Sequence, residues 1–315
     1  MTEISENEFM TSLLDLADFC KLSSQALHQY LKKNGFEPVL VSKRAYLSPE
    51  ETRRLLLKRG YKYEKKVVSL QMLKGGCSKT TSALNIGIRA NMYGARVLLI
   101  DLDQQANLSF AFSVEQPDAP VWVNVVEGSA NIEDVIKPIT PSLHLIPSNL
   151  NNSTLDKVLL NGKRNIGRSM IQHLEKVMES YDLVVIDTAP NLSAINTAAA
   201  CASDLVVLPV TPDKFSFSGL GKTLNDLRAI KSEFKAKFTP KVLFTRFDGR
   251  ETASHELLKL CLVNHSEEMM KAFVRVSSEF KNTIKSGHTI YSKKGTAKED
   301  YDLVTREIMG TSSQL

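Results

Sequence analysis

At 315 residues the chain has the length of about two domains. Its 43% hydrophobic content is enough for a sizeable core, and no apolar run approaches the roughly 20 residues of a membrane span. Four scattered cysteines without a C-x-x-C pair argue against a disulfide framework or a zinc site and suit a reducing cytoplasm, while a net charge of +5 and a pI near 8.9 permit a nucleic-acid partner.

Residues 1–60 read as a small separate domain, with 61–66 as a linker and 67–315 as the main domain. Glu3, Glu6 and Glu8 stand where an exported chain carries a basic-then-apolar leader. Phe9, Leu13, Leu16, Ala17 and Cys20 recur at helical spacing. Lys21-Leu22-Ser23 is a short turn, and Ser23 is placed to cap a second helix over 24–34 that stops at Gly35. Helix, three-residue turn and helix is helix-turn-helix spacing. The second helix has Gln25, His28, Gln29, Lys32 and Lys33 on its outer face, side chains that donate to base edges or phosphates in a major groove. Val39-Leu40-Val41 and Ala45-Tyr46-Leu47 then flank Ser42-Lys43-Arg44, a hairpin or wing with Lys43 and Arg44 at its tip. Ser48-Pro49-Glu50-Glu51 starts a third helix, with proline at its first position. Residues 1–66 hold twelve Lys and Arg against nine acids. DNA binding is the preferred reading of this domain; a helical dimerisation domain with a solvated charged face is the other.

The apolar run Val67-Val68-Ser69-Leu70-Gln71-Met72 reads as a buried strand. Lys74-Gly75-Gly76-Cys77-Ser78-Lys79-Thr80-Thr81 follows it and leads into a helix-forming run. Strand, glycine loop and helix with Lys-Thr at its start is a phosphate-binding P-loop. Backbone N–H groups and the positive end of the helix favour an anion there, and Gly75 and Gly76 let the backbone approach it. Lys79 is expected to reach the β- and γ-phosphates of a nucleotide, and the Thr80 hydroxyl to ligate Mg²⁺.

A second apolar strand, Val97-Leu98-Leu99-Ile100, runs into Asp101-Leu102-Asp103-Gln104-Gln105, which puts acids at the carboxyl end of a strand beside the phosphate site. Residues 106–150 say less, apart from a short helix near 132–135 and a strand over 143–147 in which His144 is structural. Asn-Gly-Lys-Arg-Asn-Ile-Gly-Arg at 161–168 reads as a solvated basic loop, and an amphipathic helix follows it. Leu183-Val184-Val185-Ile186-Asp187 is a strand buried on both faces whose terminal acid is expected to hold the Mg²⁺ shell. Leu205-Val206-Val207-Leu208-Pro209-Val210, a helix over 220–234, a strand over 241–247 and helices over 251–264 and 297–309 complete the alternation. That pattern predicts an α/β fold: a doubly wound, mostly parallel sheet.

Lys74 before the glycine pair resembles the deviant Walker A box, K-G-G-x-x-K-[ST]-[ST], of the family that includes ParA-type partition ATPases and MinD. Asp101 to Gln105 is similar to that family's D-x-D-P-Q segment, with Gln104 in place of proline. The segment 183–190 resembles its Walker B strand, with Ala189 where proline is usual. Residues 1–66 resemble the winged, MerR-like helix-turn-helix that some partition ATPases carry. The resemblance implies ATP and ADP as ligands and Mg²⁺ as cofactor. It implies a homodimer in which Lys74 reaches the partner's nucleotide, Asp103 positions the attacking water, and Asp101 orders the Mg²⁺ shell. It puts Pro209, Thr211 and Asp213 near the adenine. It also implies DNA binding without sequence preference through the basic C-terminal region, with Arg275, Lys281 and Lys285 as the chosen contacts against a merely solvated face. A ParB-type centromere-binding partner and a nucleoid-associated, cytoplasmic location follow from the same resemblance. A nucleotide-switched repressor of its own operon is the alternative. The last helix lacks the basic amphipathic character of a membrane-targeting tail, and no cysteine pair follows the switch segments as in an iron–sulfur reductase.

Overall fold

The computed structural model describes residues 5–162, 165–280 and 288–310. The N-terminal module is a three-stranded antiparallel sheet with three helices. Its elements are β1 (Thr11–Ser12), α1 (Leu13–Phe19), α2 (Ser24–Lys33), β2 (Val39–Val41), β3 (Arg44–Leu47) and α3 (Pro49–Lys58), with sheet order β1-β3-β2. Phe9 is not part of the first helix. It closes a separate 3-10 turn, Glu6–Phe9, and α1 begins at Leu13 because the Ser12 side chain accepts from the Asp15 N–H. The Ser23 side chain caps α2 in the same way through the Ala26 N–H, and Ser48 caps α3 through Glu51. Ser42 and Lys43 both take positive φ, 47° and 66°, so β2 and β3 are joined by a two-residue turn whose twist suits a tight hairpin.

Within residues 61–66 the two tyrosines are packed, while Lys62, Glu64 and Lys65 are exposed. Tyr61 is buried in the module's core with Leu27, Leu31, Leu55 and Leu56, and the Tyr63 hydroxyl donates to the Tyr93 carbonyl. Tyr93 itself comes from the main domain. Arg53 donates to the Asp182 carboxylate at 2.6 Å and to the Gly94 carbonyl at 2.9 Å. Gly94 has φ +77°, and an added Cβ would meet the Arg53 backbone at 2.6 Å, so the close approach of the two domains needs glycine there. Asp15 pairs with the buried Arg89, and the Thr11 hydroxyl donates to the Met92 carbonyl. The module is therefore fastened along one edge of the main domain.

The main sheet contains β4 (Lys66–Leu70), β5 (Val97–Asp101), β6 (Lys137–Thr140), β7 (Leu143–Ile146), β8 (Leu183–Asp187), β9 (Leu205–Val210) and β10 (Thr239–Phe244). Their order is β10-β9-β4-β8-β5-β7-β6, parallel except for the antiparallel edge strand β6. Alternate residues of β4, β5 and β8 face opposite layers. Val68, Leu70, Val97, Leu99 and Val185 meet α4 (Lys79–Met92) and α14 (Thr296–Met309), whereas Val67, Leu98, Ile100, Val184 and Ile186 meet the other layer. That second layer includes α8 (Leu155–Asn161) and α11 (Ala194–Ala202). Helix α4 lies between the sheet and α14 and is buried along nearly its whole length. His144 is structural, with Nδ1 2.7 Å from the Tyr181 hydroxyl. Helix α12 (Lys214–Phe234) starts six residues before the expected 220, because Asp213 caps it by accepting from the Ser216 N–H. No helix among the described residues is long and apolar enough to cross a membrane.

Candidate nucleotide site

The loop between β4 and α4 turns on two left-handed residues, Gly76 at φ +74° and Ser78 at φ +70°. An L residue in this region costs about 1–2 kcal/mol, which explains why glycine is usual in front of the P-loop lysine. Ser78→Gly is expected to stabilise the chain by about 0.5–1 kcal/mol, the relief of strain less glycine's entropy. Calorimetry reads it as a higher melting temperature; a lower one would show that the serine hydroxyl matters more than the backbone.

A cavity of about 830 Å³ opens at this loop. Gly75, Gly76 and the start of α4 form one wall, Asp103 to Gln105 a second, and Ala189 to Asn191 a third. Lys79 lines it, buried, with its ammonium donating to the Met72 carbonyl at 3.3 Å. Burial pulls the Lys79 pKa down, and the nearby Asp187, Cys77 and Asp103 oppose that. The register sets Asp101 beside Asp187 at the carboxyl ends of β5 and β8. Asp187 is fully buried, and its carboxylate makes no well-formed hydrogen bond among the described residues, with the Thr80 hydroxyl beside it as a weak donor. Burial pushes its pKa well up, the Asp101 charge adds to this, and the Thr80 hydroxyl and Lys79 offset part of it. An orphaned carboxylate beside Thr80 and Lys79 fits a Mg²⁺·phosphate group. No cluster of three His, Cys, Asp or Glu able to hold a metal occurs among the described residues.

Asp101 is bonded within its own loop. One oxygen accepts from the Asp103 N–H at 3.1 Å, and the other from the Ser109 N–H and hydroxyl at 2.9 and 2.7 Å. Burial holds its carboxyl at about 7, against those bonds. Both oxygens are thus engaged in shaping the 101–109 loop. Ser109 was not singled out from the sequence; nothing in its spacing marks it. Asp103 faces the cavity and accepts from the Gln105 N–H at 3.0 Å. Gln104, where the segment it resembles has proline, is exposed, and Ala106 at φ +53° closes the turn.

Lys74 pairs with Asp213 at 2.6 Å. The same carboxylate accepts from the Thr211 hydroxyl at 2.7 Å and from the Ser216 N–H at 2.9 Å. The Cys77 thiol lies 3.5 Å from the Ser216 hydroxyl. Pro209, Thr211 and Asp213 are absent from the cavity lining. Pro209 sits inside β9 opposite Leu243, while Thr211 and Asp213 brace the P-loop. Cys77 is buried against this brace, and Thr81 lines the cavity.

Among the expected DNA contacts, Gln25, His28, Gln29, Lys32, Lys33, Lys43 and Arg44 are all exposed on α2 and the hairpin. Arg275 is not a free cation. Its guanidinium donates to Asp300 at 2.6 Å and to Glu299 at 3.2 Å, tying the chain before residue 280 to α14. Lys281 and Lys285 lie outside the described residues.

A family model described as an AAA domain (AAA_31) matches residues 65–240. The sporulation initiation inhibitor protein Soj of Bacillus subtilis is 30% identical over 199 residues, 62% of this chain and 78% of Soj. A ParA family protein of Chlamydia trachomatis is 28% identical over 253 residues, covering 78% of this chain and 97% of that protein. In fold, a solved structure described as "Partition Protein" superposes with a TM-score of 0.70 at 17% identity, over 96% of this chain and 93% of that one. With a family model spanning more than half its length and Soj at this level of identity, the chain belongs to the ParA family of P-loop ATPases.

Proposed function

We propose that the chain is a DNA partition ATPase that switches between DNA-bound and free states with its nucleotide. The observation that carries this reading is the buried Asp187 carboxylate beneath Lys79 and Thr80, which line the cavity together with Asp103, with Lys74 next to the cavity's glycine wall. Loop N–H groups and the α4 N-terminus take the phosphates, and Lys79 exchanges the Met72 carbonyl for them. Thr80 and Asp187 would hold Mg²⁺, which would supply charge neutralisation at the phosphates. Asp103 orients the attacking water, and Asp101 keeps the loop carrying Asp103 in shape through Ser109. Lys74 leaves Asp213 to reach the nucleotide of a second copy. Phe110, Leu192 and Phe215 are exposed large apolar residues near the cavity or the brace, which supports a face closed by that copy. ATP drives the dimer only by binding it better than the monomer. The dimer binds nucleoid DNA, and a ParB-type centromere-binding protein stimulates hydrolysis and release.

Lys79→Ala tests the nucleotide assignment. The expected result is at least a roughly 100-fold loss of ATP affinity, about 3 kcal/mol, by titration calorimetry. Unchanged affinity would contradict the assignment. A nucleotide-switched repressor is the second reading. The exposed polar face of α2, with Gln25, Gln29, Lys32 and Lys33, favours it. A footprint on one operator with ADP supports repression, whereas ATP-dependent coating of arbitrary DNA supports partition.

A further inference from the structure

Four exposed cations with no acidic partner among the described residues border a single cleft of about 570 Å³. Lys43 and Arg44 come from the hairpin of the N-terminal module, and Lys293 and Lys294 from the segment leading into α14. The acids that line the cleft are already paired. Asp15 holds Lys298 at 2.8 Å and Arg89 at 3.2 Å, and Glu299 holds Arg275 at 3.2 Å. One further carboxylate, Glu279, lies against Gly295 at the cleft's edge, so the four cations leave a net positive charge contributed by both domains, although the two pairs lie at opposite ends of the sequence.

The N-terminal module also fixes where Lys293 and Lys294 sit. The Glu8 carboxylate accepts from the Thr289 N–H at 2.8 Å and from the Ser292 hydroxyl. Asp15 grips Lys298 on the other side of the two lysines. The same segment is bonded to the P-loop helix. The Tyr291 hydroxyl donates to the Asn85 carbonyl at 2.8 Å, and the Tyr301 hydroxyl lies 2.9 Å from that of Ser82. Asn85 and Ser82 are on α4, within two turns of Lys79.

We propose that this cleft is a composite track for the phosphate backbone of duplex DNA, shared by the hairpin and the 288–299 segment and attached directly to the P-loop helix. It rests on the DNA-binding part of the function proposed above and locates it away from Arg275, which is spent on Asp300. Long, exposed side chains on two separate segments suit a repeating polyanion, since each needs only to reach some phosphate along the strand. A shift of α4 on nucleotide binding pulls on Tyr291 and Tyr301, and so on the lysines between them.

The test is the salt dependence of binding to a mixed-sequence duplex by the full chain with ATP and Mg²⁺. Each phosphate contact contributes roughly 0.9 to the log–log slope. Lys293→Gln/Lys294→Gln and Lys43→Gln/Arg44→Gln are each expected to lower the slope by about 1.8, and the four together by about 3.6. ATP affinity and melting temperature stay at wild-type values, and Lys157→Gln, an exposed lysine on α8, leaves the slope unchanged. If the hairpin pair lowers the slope and the 293–294 pair does not, the composite track is wrong while DNA binding stands. If wild type binds no duplex in any nucleotide state, the proposed function falls first.

Discussion

Asp187→Asn is expected to make the nucleotide-free protein more stable and to remove its ATP turnover. The side chain is fully buried, its oxygens make no well-formed hydrogen bond and have only the Thr80 hydroxyl as a weak donor, and Asp101 lies beside it across the β5–β8 ladder. A buried polar group left unpaired costs about 1–3 kcal/mol, and more when charged. Asparagine keeps the shape and drops the charge, so the melting temperature should rise by about 2–4 °C for each kcal/mol recovered. The pH dependence has a definite sign. Folded-state pKa values raised above the unfolded values mean that the native state binds more protons than the unfolded one. Asp101 is held at about 7 against an ordinary 3.8, and Asp187 is also raised. Their contribution to stability is therefore fully present below the ordinary carboxylate range and is lost as pH rises towards about 7. In Asp187→Asn that loss should be smaller, because the Asp101 carboxyl no longer faces a second charge. Scanning calorimetry across pH in a chelator checks both points; a variant less stable than wild type throughout would refute the strain. The cost falls on turnover. Charge stabilisation by a bound metal is worth several kcal/mol, so hydrolysis should drop by at least about 100-fold.

Lys74→Ala is expected to separate nucleotide binding from everything that follows it. The Lys74–Asp213 pair is about a third exposed on each side, and such pairs contribute about 0–1 kcal/mol, so melting should hardly change. Lys79, Thr80 and the loop N–H groups remain, so ATP affinity should stay within about threefold of wild type. ATP-dependent dimerisation should disappear, and hydrolysis should fall by about 10³-fold, the lower range for a cation supplied in trans to a phosphoryl group. A monomeric Lys74→Ala protein turning over ATP at the normal rate would show that the pairing with Asp213 is all that Lys74 does.

The fold was largely legible where one segment determined its own structure. The runs ending at Asp101 and Asp187 are strands covered on both faces, so continuous apolar sequence sufficed. Strand β6 escaped notice because Lys137–Thr140 is a half-exposed edge containing Pro138, with neither an apolar run nor a clean alternation. The first turns of α12 read as loop because Phe-Ser-Phe-Ser-Gly is a poor helix former; the Asp213 cap and packing on β9 override it. In the site, the P-loop was legible because its residues are contiguous. The unread parts join residues that share no motif: Asp101 with Ser109 within one loop, and, farther apart, Lys74 with Asp213, Arg275 with Asp300, and Arg53 with Asp182 across 129 positions. Hydrophobic period and motif spacing carry no signal for such pairs. Ser78 is an intermediate case. Its departure from glycine was visible, and its cost became clear only with φ at +70°.

The central claim is that a second copy completes the site through Lys74. ATP turnover per chain, measured over a wide range of protein concentration with Mg²⁺ present, tests it most directly. The expected result is a specific activity that rises with concentration and levels off where sedimentation velocity finds the ATP-bound dimer. A specific activity independent of concentration, in protein that sediments as a monomer with ATP bound, would contradict it.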